Sequence, residues 1–432
     1  MTATYPPDFR RSLWSLRHRI QGDPLAFLES LAACPADIVP FSLAGRPAFL
    51  LKHPDAVEAV LVSQHHKFVK AYGLQRARRL LGNGLLTAEG ERHRLQRSAV
   101  QPAFHRQQLE RYAAIMVARA ARARDGWQGL QPIDVTAEAG TLTLAIVGET
   151  LFGADVAALS AEVRQALMAA SDALDPLISL IAPARRIRPQ RERLVRIIDD
   201  LIAHHQRSGG GRGNLVSLLL DGTDAGPGII TDQLRDDALT ILLAGHDTMA
   251  TALVWTWMLL AEHPDARTRV EQEVDAVLHG RPAAAADVPA LVFTRAVLAE
   301  SLRLRPPAWI LARRAIVDLD LGGIPVPAGS TVLISQYLLH RDERFYRNPM
   351  TFDPGRWLDE RQAGRPKMAF IPFGAGPRSC IGEGFAWMEG VLLLATFAQR
   401  WRLTLVECDT MRPDLKITFR PPPGVRMVAH PL

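Results

Sequence analysis

Cysteine is scarce in this chain, and no two cysteines stand at the spacing of a metal-binding motif. Of the 432 residues only Cys34, Cys380 and Cys408 are cysteines. A disulfide framework is therefore excluded, and a reducing compartment fits this usage. The N-terminal stretch also lacks a long apolar run, so neither a signal peptide nor an anchor is indicated there. We expect a cytoplasmic protein.

Blocks of like charge are missing as well. The chain has 51 lysines and arginines against 45 acidic residues, a formal net charge of +6, and its arginines are scattered. This balance fits an acidic partner or an arginine-rich solvated surface, and the absence of a nucleic-acid-binding motif argues against nucleic acid. With 48% hydrophobic and 22% charged residues, the composition is that of a globular protein and argues against wholesale disorder.

One apolar segment, residues 238–261, has the length of a membrane span. However, His246 and Asp247 lie at its centre, where a charge in lipid is costly. A helix buried in a large globular core is the better interpretation. We therefore expect no membrane anchor.

Helical periodicity dominates the chain, and strand-like alternation is confined to short stretches. Thr231 is a candidate N-cap for a helix that runs to His263, where Pro264 forbids continuation. At about 1.5 Å per residue, this helix would be about 50 Å long. Further helices are predicted over 55–62, 90–104, 107–124, 136–152, 161–206 and up to Glu300. Strands are predicted in a hairpin over 38–51 with Gly45 at its turn, over 319–333, and in a C-terminal hairpin.

The glycine-rich stretch SGGGRG, residues 208–213, is interpreted as a surface connection rather than a domain boundary, because helical patterning resumes directly after it. The sequence thus predicts one domain over residues 1–432, mainly α-helical with small β-sheets. An irregular stretch rich in proline and glycine runs from about 341 to 382. A run of that length inside a compact domain is usually functional.

The irregular stretch ends in the sequence FGAGPRSCIG, residues 373–382. A thiolate that binds iron needs a lowered pKa and hydrogen bonds from backbone N–H groups. Gly374 and Gly376 permit the tight turn that would aim such amides at the sulfur of Cys380. A helix beginning after the cysteine adds positive potential, and Gly382 leaves room for a flat macrocycle.

Two further side chains complete this pattern. Phe373 would shield the sulfur from water, and Arg378 would pair with a negatively charged propionate. The alternative is an inert thiol buried in a glycine-rich turn, which is the usual interpretation of a lone cysteine. The whole ten-residue segment, however, resembles the haem-binding loop of the cytochromes P450, with the pattern F-G-x-G-x-R-x-C-x-G.

The resemblance to cytochromes P450 covers nearly the full chain, because other landmarks of the family follow in the expected order. It implies an α-rich prism with a long central helix over a haem b, with Cys380 as the iron ligand. It further implies a monooxygenase that uses O2 and electrons from NAD(P)H through a separate ferredoxin and ferredoxin reductase. Two alternatives stay open: an enzyme of this fold that uses peroxide or rearranges its substrate, and a haem protein without substrate chemistry.

The second landmark is AGHDT, residues 244–248, in the middle of the long helix. Oxygen activation needs space and a controlled proton supply. The segment matches the family pattern A-G-x-D/E-T, which implies that Ala244 contacts the haem and that Asp247 and Thr248 are catalytic. The alternative is a threonine bonded to its own helix and an aspartate on a solvated face.

The third landmark joins ESLR, residues 300–303, to FDPGRW, residues 352–357. Glu300 and Arg303 share one helical face, a weak signal by itself. With the second segment it resembles the family's buried triad of Glu300, Arg303 and Arg356. The resemblance implies that this triad is structural and fixes the irregular stretch before Cys380.

Haem propionates need cations, and the chain offers candidates in two segments. His93 and Arg97 stand four residues apart, on one face of a predicted helix, and match the family's third helix. Arg313 matches a further family position, although the adjacent Arg314 is an alternative. Only one of these two neighbours can face the haem from a strand.

The substrate pocket is the layer that the resemblance defines least. By analogy with the family, the pocket residues come from separated segments and are mostly apolar, which suggests an apolar substrate such as a terpenoid, a fatty acid or a polyketide-like molecule. Each of them is equally well interpreted as a plain core residue. The candidates are Leu85, Leu86, Leu243, Ala244, Thr248, Ala308, Trp309, Ile310, Thr418 and Phe419.

Overall fold

The computed structural model describes residues 23–43, 45–154, 165–166, 184–207, 214–221, 231–358, 364–406 and 412–432. Cys408 and the SGGGRG stretch lie outside these ranges, as does most of 161–183 in the predicted helix 161–206. The chain divides into two compact units. One comprises 1–76, 303–351 and 361–380, and the other 77–302, 352–360 and 381–432.

Helices make up most of the described residues, and most of them lie in the second unit. In chain order they are α1 (Pro24–Ala32), α2 (Pro54–Glu58), α3 (Tyr72–Leu81), α4 (Gly90–Val100), α5 (Arg106–Gly126), α6 (Val135–Phe152), α7 (Ala184–Arg207), α8 (Leu215–Asp221), α9 (Asp232–Glu262), α10 (Pro264–Leu278), α11 (Val292–Leu304), α12 (Gln336–Leu339) and α13 (Glu383–Ala398).

The strands are short and form four small sheets among the described residues. They are β1 (Ile38–Leu43), β2 (Arg46–Leu51), β3 (Phe68–Lys70), β4 (Pro132–Asp134), β5 (Leu311–Ala315), β6 (Leu319–Leu321), β7 (Ile324–Val326), β8 (Thr331–Ile334), β9 (Trp401–Leu405), β10 (Asp414–Leu415), β11 (Phe419–Arg420) and β12 (Arg426–Pro431). The prediction of a mainly α fold with small sheets is confirmed.

The first unit is built on a five-stranded sheet in the order β1-β2-β8-β5-β3. The predicted hairpin forms its edge, with β1 antiparallel to β2 and Gly45 in a left-handed conformation at the turn. Strand β8 then lies parallel to β2. Apolar side chains of this sheet and of the following turns form one core, which includes Phe49, Val60, Val332 and Ile371.

Helix α9 is the centre of the second unit. Thr231 caps it, because the Thr231 hydroxyl accepts a hydrogen bond from the N–H of Leu234 at 3.1 Å. The helix ends one residue before the predicted end, at Glu262, since Pro264 follows. The buried His246 ring lies 3.0 Å from the Thr143 hydroxyl of α6. The polar centre of this apolar segment is thus satisfied within the protein.

Two predicted helices differ in extent from the structure. The helix predicted over 55–62 ends at Glu58 and continues as a π-helical turn, Ala59–Ser63. The helix predicted over 90–104 ends at Val100 and passes into a 3₁₀ turn. Pro102 explains the second break, because it supplies no backbone N–H and its ring clashes with the preceding turn of an α-helix.

Helices α6 and α9 are long and apolar enough to cross a membrane by length and composition. In each of them, 72% of the apolar window is buried within the protein. The core helices of globular proteins show the same burial, so these two helices are weak support for a membrane span.

Candidate active site

The segment before Cys380 closes on itself through its main chain. The N–H of Cys380 donates to the carbonyl of Phe373 at 2.8 Å, and the N–H of Ser379 donates to the carbonyl of Gly376 at 3.0 Å. Cys380 is exposed and is in no disulfide. The sequence thus folds a short loop that presents a thiol at its end.

The glycines of this loop are required by its backbone. Gly374 and Gly376 both have φ near +70°, a conformation that side chains with a Cβ rarely adopt. At Gly376 a Cβ atom would also collide with the carbonyl of Leu61, in the π-helical turn. The predicted need for glycine therefore has two causes at this position, the φ angle and the close approach.

In the first unit, the Arg303 side chain binds main-chain carbonyls in and next to the irregular stretch. Its side chain is fully buried, and its guanidinium donates to the carbonyls of His340 at 2.8 Å, Pro349 at 2.6 Å and Thr351 at 3.2 Å. Further along the stretch, the Tyr346 hydroxyl donates to a main-chain carbonyl. Buried carbonyls without strands to pair with are satisfied in this way.

Glu300 does the same for the turn over 352–357 in the second unit. Its buried carboxylate accepts from the Arg356 guanidinium and from the N–H of Asp353, both at 2.9 Å. Its second oxygen accepts from the indole of Trp357 at 2.9 Å. The contacts of Glu300 and Arg303 support the structural role that the resemblance implies for the triad.

The AGHDT segment is less buried than the apolar stretches of α9 on either side of it. Ala244 is exposed, although the three residues before it are buried. A Cβ at Gly245 would lie 3.1 Å from a methyl group of Val147 on α6, so glycine permits close packing of α6 on α9. The Thr248 hydroxyl donates to the carbonyl of Ala244 at 2.7 Å. In this structure the threonine is therefore bonded to its own helix.

Asp247 does not lie on a solvated face. Its carboxylate accepts a hydrogen bond from the Thr418 hydroxyl at 2.7 Å and forms an ion pair with Arg420 at 2.7 Å. The Arg420 guanidinium also donates to the Thr418 hydroxyl at 3.2 Å. Arg420 was not identified from the sequence, because 173 residues separate it from Asp247 and no local pattern marks the pair.

The candidate propionate ligands differ in their surroundings. His93 is buried and Arg97 is half-buried on one face of α4. In the first unit, Arg313 is buried in β5, whereas the guanidinium of Arg314 lies over the Tyr72 ring, 5.0 Å from its centre. Arg378 is half-buried in the Cys380 loop.

The predicted pocket residues are not all equivalent. In the second unit, Leu85 and Leu243 are buried and Leu86 is half-buried. Phe419 is a core residue, since its ring lies against Trp255 with centres 5.7 Å apart and its carbonyl accepts from that indole. The first-unit candidates differ in burial: Ala308 and Ile310 are half-buried and Trp309 is buried.

The chemistry of these residues fits a haem. A single exposed thiol at the end of a glycine turn can supply one soft anionic ligand. The exposed Ala244 gives α9 a surface without a large side chain. Arg97 and Arg313 are cations that suit carboxylates, and the His93 ring can donate a hydrogen bond. Each of these residues, taken by itself, has the chemistry that the group requires.

Comparison with known proteins agrees with this chemistry. The cytochrome P450 family profile matches residues 6–427. The chain is 39% identical to cyclooctatin synthase of Streptomyces melanosporofaciens, over 95% of this chain and 90% of that protein. It is 34% identical to pentalenene oxygenase of Streptomyces avermitilis, over 96% and 93%.

A solved structure extends the comparison to the fold. The crystal structure of CYP175A1 from Thermus thermophillus superposes with a TM-score of 0.78 at 30% identity and covers 98% of each chain. The predicted fold is therefore confirmed. With the family match over nearly its whole length, this chain belongs to the cytochrome P450 family and is a haem-containing monooxygenase.

Proposed function

We propose that this monooxygenase hydroxylates an apolar terpenoid, with Cys380 as the iron ligand and with Asp247 and Thr248 as the groups that deliver protons. The observation that carries the proposal is the ordered acid beside an alcohol on α9, Asp247 held by Thr418 and Arg420. The family profile matches the chain as one segment, residues 6–427. This supports one haem domain over residues 1–432.

The bound haem supplies reductive activation of O2, for which an anionic thiolate ligand donates electron density. Cys380 would hold the iron, and the main-chain bonds of its loop fix where the sulfur stands. His93, Arg97, Arg313 and Arg378 would hold the propionates by charge and hydrogen bonds. These basic groups orient the haem and take no part in the chemical step.

Asp247 and Thr248 carry the proton supply. The Thr248 hydroxyl has one hydrogen, with which it donates a hydrogen bond to the Ala244 carbonyl in this structure, and rotation about χ1 would redirect that hydrogen bond. The Asp247 carboxylate pairs with Arg420 and accepts a hydrogen bond from the Thr418 hydroxyl, and a carboxylate in this position can accept a proton from water and pass it on. Thr418 and Arg420 fix the orientation of this carboxylate, one residue before Thr248 on α9.

Replacing Asp247 by asparagine is expected to slow turnover by about a hundredfold or more, because the amide cannot relay a proton. Substrate affinity stays unchanged and the solvent deuterium isotope effect on turnover increases. The control is Asp232→Asn on the same helix, where the carboxylate is 94% exposed and turnover should stay at the level of the unaltered enzyme. Unchanged turnover in Asp247→Asn would remove Asp247 from the mechanism.

The substrate class rests on the pocket and on the relatives. The candidate pocket side chains other than Thr248 and Thr418 are apolar, so the substrate needs no charged anchor. Similar proteins include pentalenene oxygenase and cyclooctat-9-en-7-ol 5-monooxygenase, whose names indicate terpenoid substrates. We therefore expect cyclic terpenoid hydrocarbons and their alcohols to convert the haem from low to high spin, and fatty acids to bind more weakly. Stronger binding of fatty acids would overturn this choice.

The electron source is tested separately. We expect turnover only with NAD(P)H, a ferredoxin and a ferredoxin reductase together, with one product oxygen derived from O2. Turnover with hydrogen peroxide alone, at the same rate, would favour the peroxide-using alternative. A haem protein without substrate chemistry would give no product in either assay and no spin conversion with any terpenoid.

A further inference from the structure

Two neighbouring carboxylates in the first turns of α9 have no role in the proposed chemistry, yet they are buried. Asp236 is 6% exposed and Asp237 is 2% exposed. Both face the turn formed by residues 82–86, which joins α3 to the segment before α4. This turn contains Leu85 and Leu86, the first two candidate pocket residues.

Asp236 binds this turn through its main chain. One carboxylate oxygen accepts from the N–H of Asn83 at 2.6 Å, and the other accepts from Arg191 of α7 at 2.7 Å. Arg191 donates at the same time to the carbonyl of Leu80 at 2.9 Å, at the end of α3. Asp236 of α9 thus binds the turn directly, and it binds the end of α3 through Arg191 of α7.

The turn is shaped to admit that carboxylate. A Cβ at Gly82 would collide with the carboxylate of Asp236, and a Cβ at Gly84 would collide with the main-chain carbonyl of the same residue. Thr87 closes the turn, because its hydroxyl donates to the carbonyl of Gly82 at 2.7 Å. Such close contact is possible only because the turn contains two glycines.

Asp237 faces the next part of the same turn. One oxygen accepts from the Gln233 amide at 2.9 Å, and the other has no hydrogen-bond partner among the described residues. Burial raises the pKa of Asp237 to about 7, against the opposing effects of the Leu85 N–H, the Arg92 charge and the Gln233 amide. The neighbouring Asp236 raises this pKa further.

We infer that Asp236 and Asp237 are positioning residues for substrate specificity: they fasten the 82–86 turn to α9 and so set where Leu85 and Leu86 stand in the pocket. The inference rests on the proposed function in assigning these leucines to the pocket. The fastening itself does not depend on haem or substrate.

The first test is hydrogen–deuterium exchange of the main chain over 80–88. Asp236→Asn removes the charge that Arg191 and Asn83 bind, so exchange of this segment should rise at least about fivefold, the effect of one lost hydrogen bond. Asp232→Asn, one turn earlier and exposed, should leave exchange unchanged. If Asp236→Asn fails to fold, Arg191→Gln tests the same bond from α7. Unchanged exchange in the folded variant overturns the inference.

The second test compares two azoles that bind haem iron. Imidazole is small, whereas phenylimidazole must fill part of the pocket. In Asp236→Asn the Kd of phenylimidazole should rise at least about fivefold, and the Kd of imidazole should not change. Faster exchange with an unchanged Kd for phenylimidazole would overturn the role in specificity. Failure of the proposed function is distinguishable, because it would appear as missing product from terpenoids in the unaltered protein, a measurement that the azole comparison does not use.

The third test uses pH. Because packing of the turn buries Asp237 and raises its pKa, the protonated form of Asp237 favours the packed turn. Packing therefore becomes less favourable as the pH rises toward 7 and Asp237 ionises. Above this pH Asp237 is ionised whether or not the turn is packed, so the free energy of packing no longer changes. Relative to Asp237→Asn, in which this group cannot ionise, the Kd of phenylimidazole for the unaltered protein should rise by up to about tenfold between pH 6 and pH 7. The azole itself titrates equally in both measurements, so its titration cancels in the ratio of the two Kd values. A ratio that does not vary with pH overturns the contribution of Asp237.

Discussion

Replacing Cys380 by serine is expected to abolish the thiolate spectrum of the reduced carbon monoxide complex and to reduce turnover by more than about a hundredfold. Loss of an outer partner of a metal ligand already costs about ten- to a hundredfold, and a serine hydroxyl at neutral pH supplies no anionic donor. The loop itself should persist in the variant, because its main-chain bonds do not involve the sulfur. The measurements are the carbon monoxide difference spectrum and product formation with a ferredoxin and reductase.

The matched control for this variant is Cys34→Ser. Cys34 is half-buried and is also in no disulfide, but it lies near the start of the chain, directly after α1. We expect the spectrum and turnover of Cys34→Ser to equal those of the unaltered enzyme. An unchanged thiolate band in Cys380→Ser would contradict the proposed iron ligand, and with it the proposed mechanism.

Replacing Glu300 by leucine is expected to lower the free energy of unfolding by about 3–5 kcal/mol, the cost of leaving a buried charge without its partner. The Arg356 guanidinium, the Asp353 N–H and the Trp357 indole would all lose their acceptor. Because these groups fix the turn over 352–357, haem content should fall as well. Urea unfolding and the haem-to-protein ratio measure the two effects.

Glu192→Gln is the control for this buried pair. Glu192 forms an ion pair with Arg188 one helical turn away, and both side chains are more than half exposed. Its loss should cost no more than about 0.5 kcal/mol. If Glu300→Leu were as stable as Glu192→Gln and kept its haem, the structural role proposed for the triad would be wrong.

Local signals in the sequence predicted much of this fold. Thr231 and Pro264 define the two ends of α9 because a cap and a missing N–H act within a few residues. Gly45 defines the β1–β2 turn for a similar reason. The π-helical turn after Glu58 was missed, because the apolar pattern over 55–62 suits a continuous α-helix equally well.

Polar contacts between residues far apart in the chain could not be predicted from the sequence. Arg420 and Asp247 lie far apart in the chain, and the sequence around either residue does not indicate the other as its partner. The same holds for Asp236 and the turn near Asn83, separated by 153 residues. The roles of the glycines and the cysteine in one short segment could be predicted from local chemistry. A hydrogen-bonded or charged pair that forms only when distant elements pack is seen only in the folded structure.

The loop before Cys380 owes its shape to its main chain, and this has an evolutionary consequence. An exposed residue such as Pro377 can be replaced during evolution without moving Cys380, because the hydrogen bonds from the N–H groups of Ser379 and Cys380 involve no side chain. Gly376 cannot be replaced in this way, since even a methyl group has no space there. The exposed positions of this loop can therefore change, for example toward new protein partners, while Cys380, the proposed iron ligand, keeps its place.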